Sequence, residues 1–504
     1  MKPTTGPGPL QDGFRGTARP AARGVASRIR RGWPTALLLA LMVILALPAA
    51  LVVVPGFIGP KPPAAAPAAP AWQQTPATLS ARQGLSPLDD SAPVPLRAAV
   101  TAQLEPLLKA DGGGTFTGLV QDALTGQVLF DRGGADNRIP ASNMKLLTAA
   151  AALRAIGPEH RFSTRVLSGP VPGQVVLTGG GDVLLGTGQS APDQVMGHAG
   201  LATLAAATVA ALQERGTAGE LKVLMDDSLF SGPALNPAWA QGDVEAGEMA
   251  PLYPLALNSA RFDAAVTTGP RPQDSATTAA EAFAAQLKAA GAAAGLTVAA
   301  GVERFTASGI ESGGPATLAE VQSATVSQQV DLMLQTSDNY LAEVLGRMAA
   351  AATGQPASND AATATVRTQL TELGIPTDTM KLADVSGLAL ANQVSARQLV
   401  EVVRAITTGT DTRLRAALDG FPVAGLTGTL DTRYGDDATA RGAGLVRAKT
   451  GTLNSVIALS GYVVDADGRL LVFSFIGNGL TPGAAGNREA LDRAATALAA
   501  CGCR

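Results

Sequence analysis

The sequence predicts an α+β protein in which one antiparallel sheet is assembled from two distant segments of the chain. Strand patterns bounded by turn residues occur in pairs near both ends of the folded part, within 116–131 and 445–477. Helical patterns follow residue 323 and precede the last strands. Residues 166–320 mix short strands, Gly and Pro punctuation and Ala-rich helices, and they predict an inserted α+β unit.

The N-terminal 94 residues predict export rather than a packed core. Residues 1–33 are basic and rich in Gly and Pro, which indicates a disordered cytoplasmic tail. Residues 34–58 are uncharged and mostly apolar, and about 25 such residues exceed the roughly 20 that span a bilayer. We expect a single-pass transmembrane helix that leaves the body outside the cell membrane; a cleaved signal peptide is the alternative. Residues 59–94 predict a Pro/Ala-rich linker.

The first folded segment is predicted over 95–165. A helix is expected at 96–108, followed by strands 116–121 and 127–131, which flank the turn Asp122-Ala-Leu-Thr-Gly126 and indicate a β-hairpin. A second helix is expected at 142–156, where Gly157-Pro158 ends it. These elements supply one part of the predicted sheet and the helix beside it.

The remaining elements fall into the insertion and a second folded segment, 321–504. In the insertion we expect strands 175–178 and 222–225 and helices 201–214 and 278–290. The second segment predicts helices 326–336, 340–353, 361–373 and 488–500 and strands 445–450, 456–464 and 469–477. The turn Asp465-Ala-Asp-Gly468 joins the last two strands.

The composition argues against some classes of partner and of catalytic site. The formal net charge of −3 gives no reason to expect a nucleic acid partner. Two histidines are too few for a histidine metal centre, and neither a metal nor another cofactor is expected. The two cysteines, Cys501 and Cys503, end the chain; we expect a frayed, unpaired tail, with pairing in an oxidising compartment as the alternative.

Three short stretches carry the predicted chemistry. They are Ser142-Asn-Met-Lys145 at the start of a helix, Ser337-Asp-Asn339 between two helices, and Lys449-Thr-Gly-Thr452 on a strand. Their order is that of the S-x-x-K, S-x-N and K-T-G set of penicillin-recognising serine enzymes. Any one would occur by chance in many chains of this length, but the three in order and in suitable local settings indicate one catalytic site.

Each polar group has a predicted role in an attack on a carbonyl. Ser142 is the nucleophile and Lys145 its general base, which must be neutral to take the hydroxyl proton. Burial and a second positive charge, that of Lys449, are expected to lower the pKa of Lys145. Ser337 passes a proton to the leaving amine, and Asn339 hydrogen-bonds Lys145 or the substrate.

The predicted strand that carries Lys449 is expected to bind the substrate. The backbone N–H groups of Ser142 and Thr452 form the predicted oxyanion hole. Thr450, Gly451 and Thr452, beside Lys449, are expected to hold a substrate carboxylate.

The chain resembles the D-alanyl-D-alanine carboxypeptidase/D-alanyl-D-alanine-endopeptidase family, the low-molecular-mass class C penicillin-binding proteins. The resemblance covers about 95–500. Beyond the three motifs it rests on the stretches Gly157-Pro-Glu-His-Arg-Phe162, Leu177-Thr-Gly-Gly-Gly-Asp182, Asp384-Val-Ser-Gly-Leu388 and Leu459-Ser-Gly-Tyr462. It implies an αβα sandwich, a β-lactamase/transpeptidase-like domain interrupted by an inserted domain. It also implies a penicillin-binding hydrolase that acts on peptidoglycan stem peptides and is inhibited covalently by β-lactams.

Some positions depart from the family pattern. Val385 stands where relatives commonly have glycine, and Leu390 stands where they often have an arginine that binds the free end of the stem's diamino acid. Asp243 falls where relatives carry an acidic residue for the ammonium group of that diamino acid, although an ordinary loop acid would look the same. Asp182, after three glycines, is expected to form a turn rather than to act in catalysis.

Two other functions remain open from the sequence. A serine β-lactamase or esterase of the same superfamily would use the same nucleophile, but no deacylating glutamate loop is evident. A penicillin-sensing module without activity would need a sizeable cytoplasmic effector, and only about 33 tail residues are expected inside.

Overall fold

The structure, a computed structural model, describes residues 90–305 and 316–502. The tail and the apolar segment expected over 1–58, most of the linker and Cys503 lie outside these residues. Within the described ranges, no helix combines the length and the apolar character needed to cross a membrane.

The described ranges contain helices and strands that we number in chain order. The helices are α1 (Arg97–Leu104), α2 (Met144–Ala155), α3 (Leu201–Glu214), α4 (Gln241–Glu245), α5 (Ser275–Gly291), α6 (Val326–Thr336), α7 (Asn339–Ala352), α8 (Asn359–Glu372), α9 (Ala396–Thr408) and α10 (Arg488–Ala499). The strands are β1 (Gly113–Asp122), β2 (Val128–Arg132), β3 (Asn137–Arg138), β4 (Arg161–Ser168), β5 (Gln174–Thr178), β6 (Gly219–Asp226), β7 (Leu296–Val298), β8 (Glu303–Arg304), β9 (Thr317–Thr325), β10 (Val394–Ser395), β11 (Arg447–Leu453), β12 (Val456–Val464) and β13 (Leu470–Thr481).

The main sheet joins the two ends of the folded chain. Its strand order is β11-β12-β13-β1-β2, and every neighbouring pair is antiparallel. The two segments of the chain meet between β13 and β1, where Phe475 pairs with Gly118. A Cβ at Gly118 would meet the Phe475 ring at 2.7 Å, so glycine leaves the room that this ring occupies. The prediction of one sheet from two distant segments is confirmed.

The sheet is covered by helices on both faces, as an αβα sandwich requires. Strand residues alternate between faces, and β13 shows the alternation clearly. Leu470, Val472 and Ile476 pack in one apolar core with helices α2, α6, α7, α8 and α9. Leu471, Phe473 and Phe475 pack in a second core with α1 and α10. The predicted fold class is therefore confirmed.

A second sheet is formed by the segment predicted as an insertion. Its order is β7-β6-β5-β4-β9, with β8 paired to β6, and it has its own apolar core against α3 and α5. Strands β4 and β9, which the sequence did not predict, pair with each other and run across the predicted limits of the insertion. No local turn joins them, so nothing in the sequence nearby marks the pair. The domain limits stay a prediction.

Most predicted elements are present with ends displaced by a few residues. Helices α3 and α6 and strand β12 have the predicted bounds. The first helix ends at Leu104 rather than at residue 108, and the helix expected to start at Ser142 starts at Met144. At the C-terminus, Cys501 is buried and disulfide-bonded, so the expectation of an unpaired tail is wrong.

Candidate active site

Ser142 lies in a short 3₁₀ turn, Ala141–Asn143, that leads directly into α2. Ala141 has a φ of 47°, a left-handed conformation that costs a non-glycine residue free energy. Two glycines make room for this turn. A Cβ at Gly387 would overlap the carbonyl oxygen of Ala141, and a Cβ at Gly451 would lie 3.0 Å from that of Pro140. Ser142, the predicted nucleophile, is therefore held between the 384–388 loop and strand β11.

Lys145 occupies the centre of the site and is fully buried. Its Nζ lies 3.0 Å from Ser142 Oγ, 2.6 Å from Asn339 Oδ1 and 2.8 Å from the carbonyl oxygen of Ser386. Asn339 Nδ2 donates to the carbonyl of Glu248 at 3.1 Å, which orients the amide so that its oxygen faces the amine. Two of the three contacts thus accept hydrogen bonds without being able to donate any.

This arrangement suits a neutral amine. A neutral amine has two N–H groups and one lone pair, and the Asn339 and Ser386 oxygens match the two N–H groups. The lone pair is then left for the hydroxyl of Ser142. Burial lowers the pKa of Lys145 to about 8, while the charges of Asp384, Asp338, Glu343 and Glu248 act in the opposite direction.

Lys449 is also fully buried, on β11, and its Nζ donates to the carbonyl of Thr450 at 2.9 Å. Burial, followed by the positive charge of Lys145, lowers the pKa of Lys449 well below its usual value. The sequence predicts that burial and the positive charge of Lys449 together lower the pKa of Lys145. Of these two causes, burial acts on the pKa of Lys145 in the structure, and the charged groups next in effect are carboxylates, which raise this pKa.

The second motif lies at the junction of α6 and α7. Ser337 ends α6 with φ 58°, and this left-handed residue turns the chain into α7. Asp338 caps α7 by accepting from the backbone N–H of Leu341 at 3.0 Å. The break places Ser337, half-buried, on the wall of the same cavity as Ser142, and the first turn of α7 brings Asn339 to Lys145.

A cavity of about 940 Å³ opens over these groups. Ser142, Ser337, Asn339, Thr450 and Thr452 all line it. The structure thus brings the two residues of the predicted oxyanion hole to one space. The Thr450 hydroxyl lies 2.7 Å from that of Thr429, a cavity residue that the sequence analysis did not identify because no motif surrounds it.

The inserted segment also lines the cavity. Asp243, on the short helix α4, lines it, as the resemblance implied for a residue that reads a substrate amine. Leu390 also lines it and is 59% exposed, so an apolar side chain stands where relatives often have arginine. Arg261 and Arg271 line the cavity too. Residues of both folded segments and of the insertion therefore line one cavity.

The 384–388 loop holds functional groups that sequence reasoning missed. Asp384 is fully buried and accepts hydrogen bonds from Trp239 Nε1 (2.9 Å), the Gly387 N–H (2.8 Å) and the Ala389 N–H (2.7 Å). These bonds fix the loop that presents the Ser386 carbonyl to Lys145. The stretch was noted only for its resemblance to a family pattern, since a backbone carbonyl has no sequence signal.

Comparisons with known proteins bear on the family of the chain. The profile of the D-Ala-D-Ala carboxypeptidase 3 (S13) family matches residues 100–279 and 264–499. A carboxypeptidase DacB of Mycolicibacterium smegmatis is 37% identical over 86% of this chain and 91% of its own. A D-alanyl-D-alanine carboxypeptidase of Actinomadura is 30% identical over 80% of this chain and 84% of its own.

The fold also matches a solved structure. Penicillin-binding protein 4 from Haemophilus influenzae superposes with a TM-score of 0.63 over 80% of this chain and 98% of its own, at 20% identity. At that identity the match bears on the fold alone.

Proposed function

The chain belongs to the D-Ala-D-Ala carboxypeptidase 3 (S13) family and is a serine-type D-Ala-D-Ala carboxypeptidase, and we propose that it acts on peptidoglycan stem peptides through an acyl-enzyme on Ser142. The observation that carries this proposal is the set of contacts of Lys145. Its amine satisfies two acceptor oxygens and meets the Ser142 hydroxyl at 3.0 Å. A serine needs such a base to become a nucleophile.

In the acylation step, Lys145 takes the hydroxyl proton while Ser142 Oγ bonds to the carbonyl carbon of the penultimate D-alanine. The backbone N–H groups of Ser142 and Thr452 would stabilise the oxyanion. The bond to the terminal D-alanine then breaks, and its nitrogen receives a proton through Ser337. Water attacks the ester, which releases the shortened peptide and restores the Ser142 hydroxyl.

β-Lactams fit the same sequence of events. Ser142 would open the lactam ring, and the amine that is released stays tethered to the acyl group. The leaving group therefore cannot diffuse away, which favours a long-lived acyl-enzyme. We propose β-lactams as covalent inhibitors on this ground.

The proposal is tested by incubating residues 90–504 with a fluorescent penicillin and with a stem peptide ending in D-Ala-D-Ala. The expected result is stable labelling and release of D-alanine, both lost in Ser142→Ala. Absence of labelling in the wild type contradicts the proposal. Rapid penicillin turnover without peptide cleavage indicates a β-lactamase, and stable labelling without cleavage indicates a sensor. A cross-linked dimeric peptide in the same assay measures endopeptidase activity.

We further propose that residues 34–58 anchor the chain and place the body on the outer side of the cell membrane. The support is the uncharged apolar run after a basic flank. Fractionation of cells that express the full chain should place it in the membrane, and added protease should digest it from outside. Full-length chain in the soluble fraction contradicts the anchor, and release of a shortened chain indicates signal cleavage.

A further inference from the structure

Glu343 is a buried acid next to the site that the mechanism above does not use. It lies four residues after Asn339 on α7, so the two side chains share one face of the helix. Its side chain is fully buried. Oε1 accepts hydrogen bonds from the backbone N–H groups of Val385 at 3.0 Å and Ser386 at 2.8 Å. Oε2 has no hydrogen-bond partner among the described residues.

These contacts connect Glu343 to the residues that hydrogen-bond Lys145. Lys145 Nζ reaches Asn339 at 2.6 Å and the Ser386 carbonyl at 2.8 Å. Asn339 and Glu343 are one turn apart on α7, and Glu343 holds the N–H of the same residue, Ser386, whose carbonyl faces Lys145. Helix α7 thus positions both oxygens that accept from the Lys145 amine. Asn339 supplies one of them directly, and Glu343 holds the loop whose Ser386 carbonyl supplies the other.

We propose that Glu343 is a positioning residue of acylation, whose carboxylate holds the Ser386 carbonyl against Lys145 and whose charge keeps that amine a strong enough base. The inference rests on the proposed function of Ser142 and deepens it. Burial alone would make Lys145 neutral but weakly basic, and a weak base takes the serine proton poorly. A nearby negative charge offsets part of that effect.

Other charged groups act on the same pair. Burial and the charge of Asp384 raise the pKa of Glu343 to about 7, so its own charge is present above that pH. The other titratable groups around the pair are Asp338 at the N-cap of α7, Arg347 one turn after Glu343, Glu248 of the inserted segment and Lys449 on β11. Asp384 holds the loop through several hydrogen bonds, so its removal would disturb the loop as a whole.

Glu343 permits a cleaner test. Glu343→Gln keeps an oxygen for the two backbone N–H groups and removes only the charge. Glu343→Asp keeps the charge but shortens the side chain, which withdraws the carboxylate from the loop. Glu372→Gln serves as the matched control. It removes an exposed carboxylate at the end of α8 that pairs with Arg154 rather than with the 384–388 loop.

The measurement is the rate of acylation by a fluorescent penicillin between pH 5 and pH 10. For Glu343→Gln we expect the acidic limb of the profile to move to lower pH by roughly half a unit or more, because Lys145 loses its proton more easily. For Glu343→Asp we expect the limb to stay in place while the alkaline plateau falls about tenfold. Glu372→Gln should match the wild type in both respects.

If the wild type is acylated normally and folded Glu343→Gln has the same acidic limb in its pH profile, the inference is overturned. Absence of acylation in the wild type instead contradicts the proposed function, so the two failures are distinct. Should Glu343→Gln not fold, the ¹³Cε signal of Lys145 is titrated in the wild type and assigned by its loss in Lys145→Arg. The inference requires a two-step titration that reports Glu343 as well, and a single step overturns it.

Discussion

The amine of Lys145 lies 2.6 Å from the amide oxygen of Asn339, although 194 positions separate the two residues in the chain. The contact joins the first catalytic motif to the second across the inserted segment. It depends on α2 and α7 packing in one apolar core. The geometry around Lys145 is therefore a property of the folded chain.

The first prediction concerns the proton of Lys145. Burial lowers its pKa to about 8, so the neutral amine becomes the major form only above that pH. The acylation rate should therefore rise about tenfold per pH unit below pH 8 and level off above it. Lys145→Arg keeps the positive charge at every accessible pH and should lose about 10²- to 10⁴-fold in rate. A profile that is flat through pH 8 would argue against Lys145 as the base.

The second prediction concerns the room that glycine leaves for the nucleophile. Gly387 has φ 87°, and a Cβ there would overlap the carbonyl of Ala141 beside Ser142. Gly387→Ala should displace the Ser142 turn and lower penicillin acylation about 100-fold. Gly435→Ala is the matched control, because its Cβ would meet no atom within 4 Å. Equal rates for the two variants would show that the close approach does not position Ser142.

The third prediction concerns Asp243 on the inserted wall of the cavity. Asp243→Asn removes the charge that would bind a substrate ammonium group, so KM for a stem peptide with a free side-chain amine should rise about tenfold. Penicillin acylation, which uses no such amine, should not change. A stem peptide acetylated on that amine should behave alike with both enzymes. A rise in KM for the acetylated peptide as well would assign Asp243 a role other than charge recognition.

The fourth prediction concerns a buried ion pair between the two chain segments that form the main sheet, at the neighbouring strands β1 and β13. Asp122, at the end of β1, is fully buried and pairs with Arg469, which is 3% exposed and also donates to the carbonyl of Ala92 at 3.1 Å. Asp122→Ala leaves a buried guanidinium without its counter-charge, and we expect the free energy of unfolding to fall by about 3–5 kcal/mol. Urea unfolding measures this loss.

The control for this pair is Glu489→Ala, which breaks an exposed ion pair with Arg493. Exposed pairs contribute about 0–1 kcal/mol, so the midpoint of unfolding should barely move. A similar loss for both variants would mean that burial does not set the contribution of the Asp122 pair.

The sequence predicted local features well. The spacing of Ser142 and Lys145 follows from one helical turn, and strand β12 follows from its apolar run bounded by turn residues. The pairing of β4 with β9 was missed, since more than 140 residues separate the two strands in the chain. The prediction of an unpaired Cys501 is wrong, and the burial of its side chain in the second apolar core is a tertiary feature that the sequence does not show.

The sequence by itself determined which groups are predicted to carry the chemistry: a serine, two lysines, a second serine and an asparagine in the order of a known motif set. Only the tertiary structure decided how these groups behave. The burial that lowers the pKa of Lys145, the Ser386 carbonyl that meets its amine and the carboxylate of Glu343 behind that carbonyl arise where distant segments pack together. Residue type is local information, whereas solvent exclusion and the field around an ionisable group are summed over the whole fold.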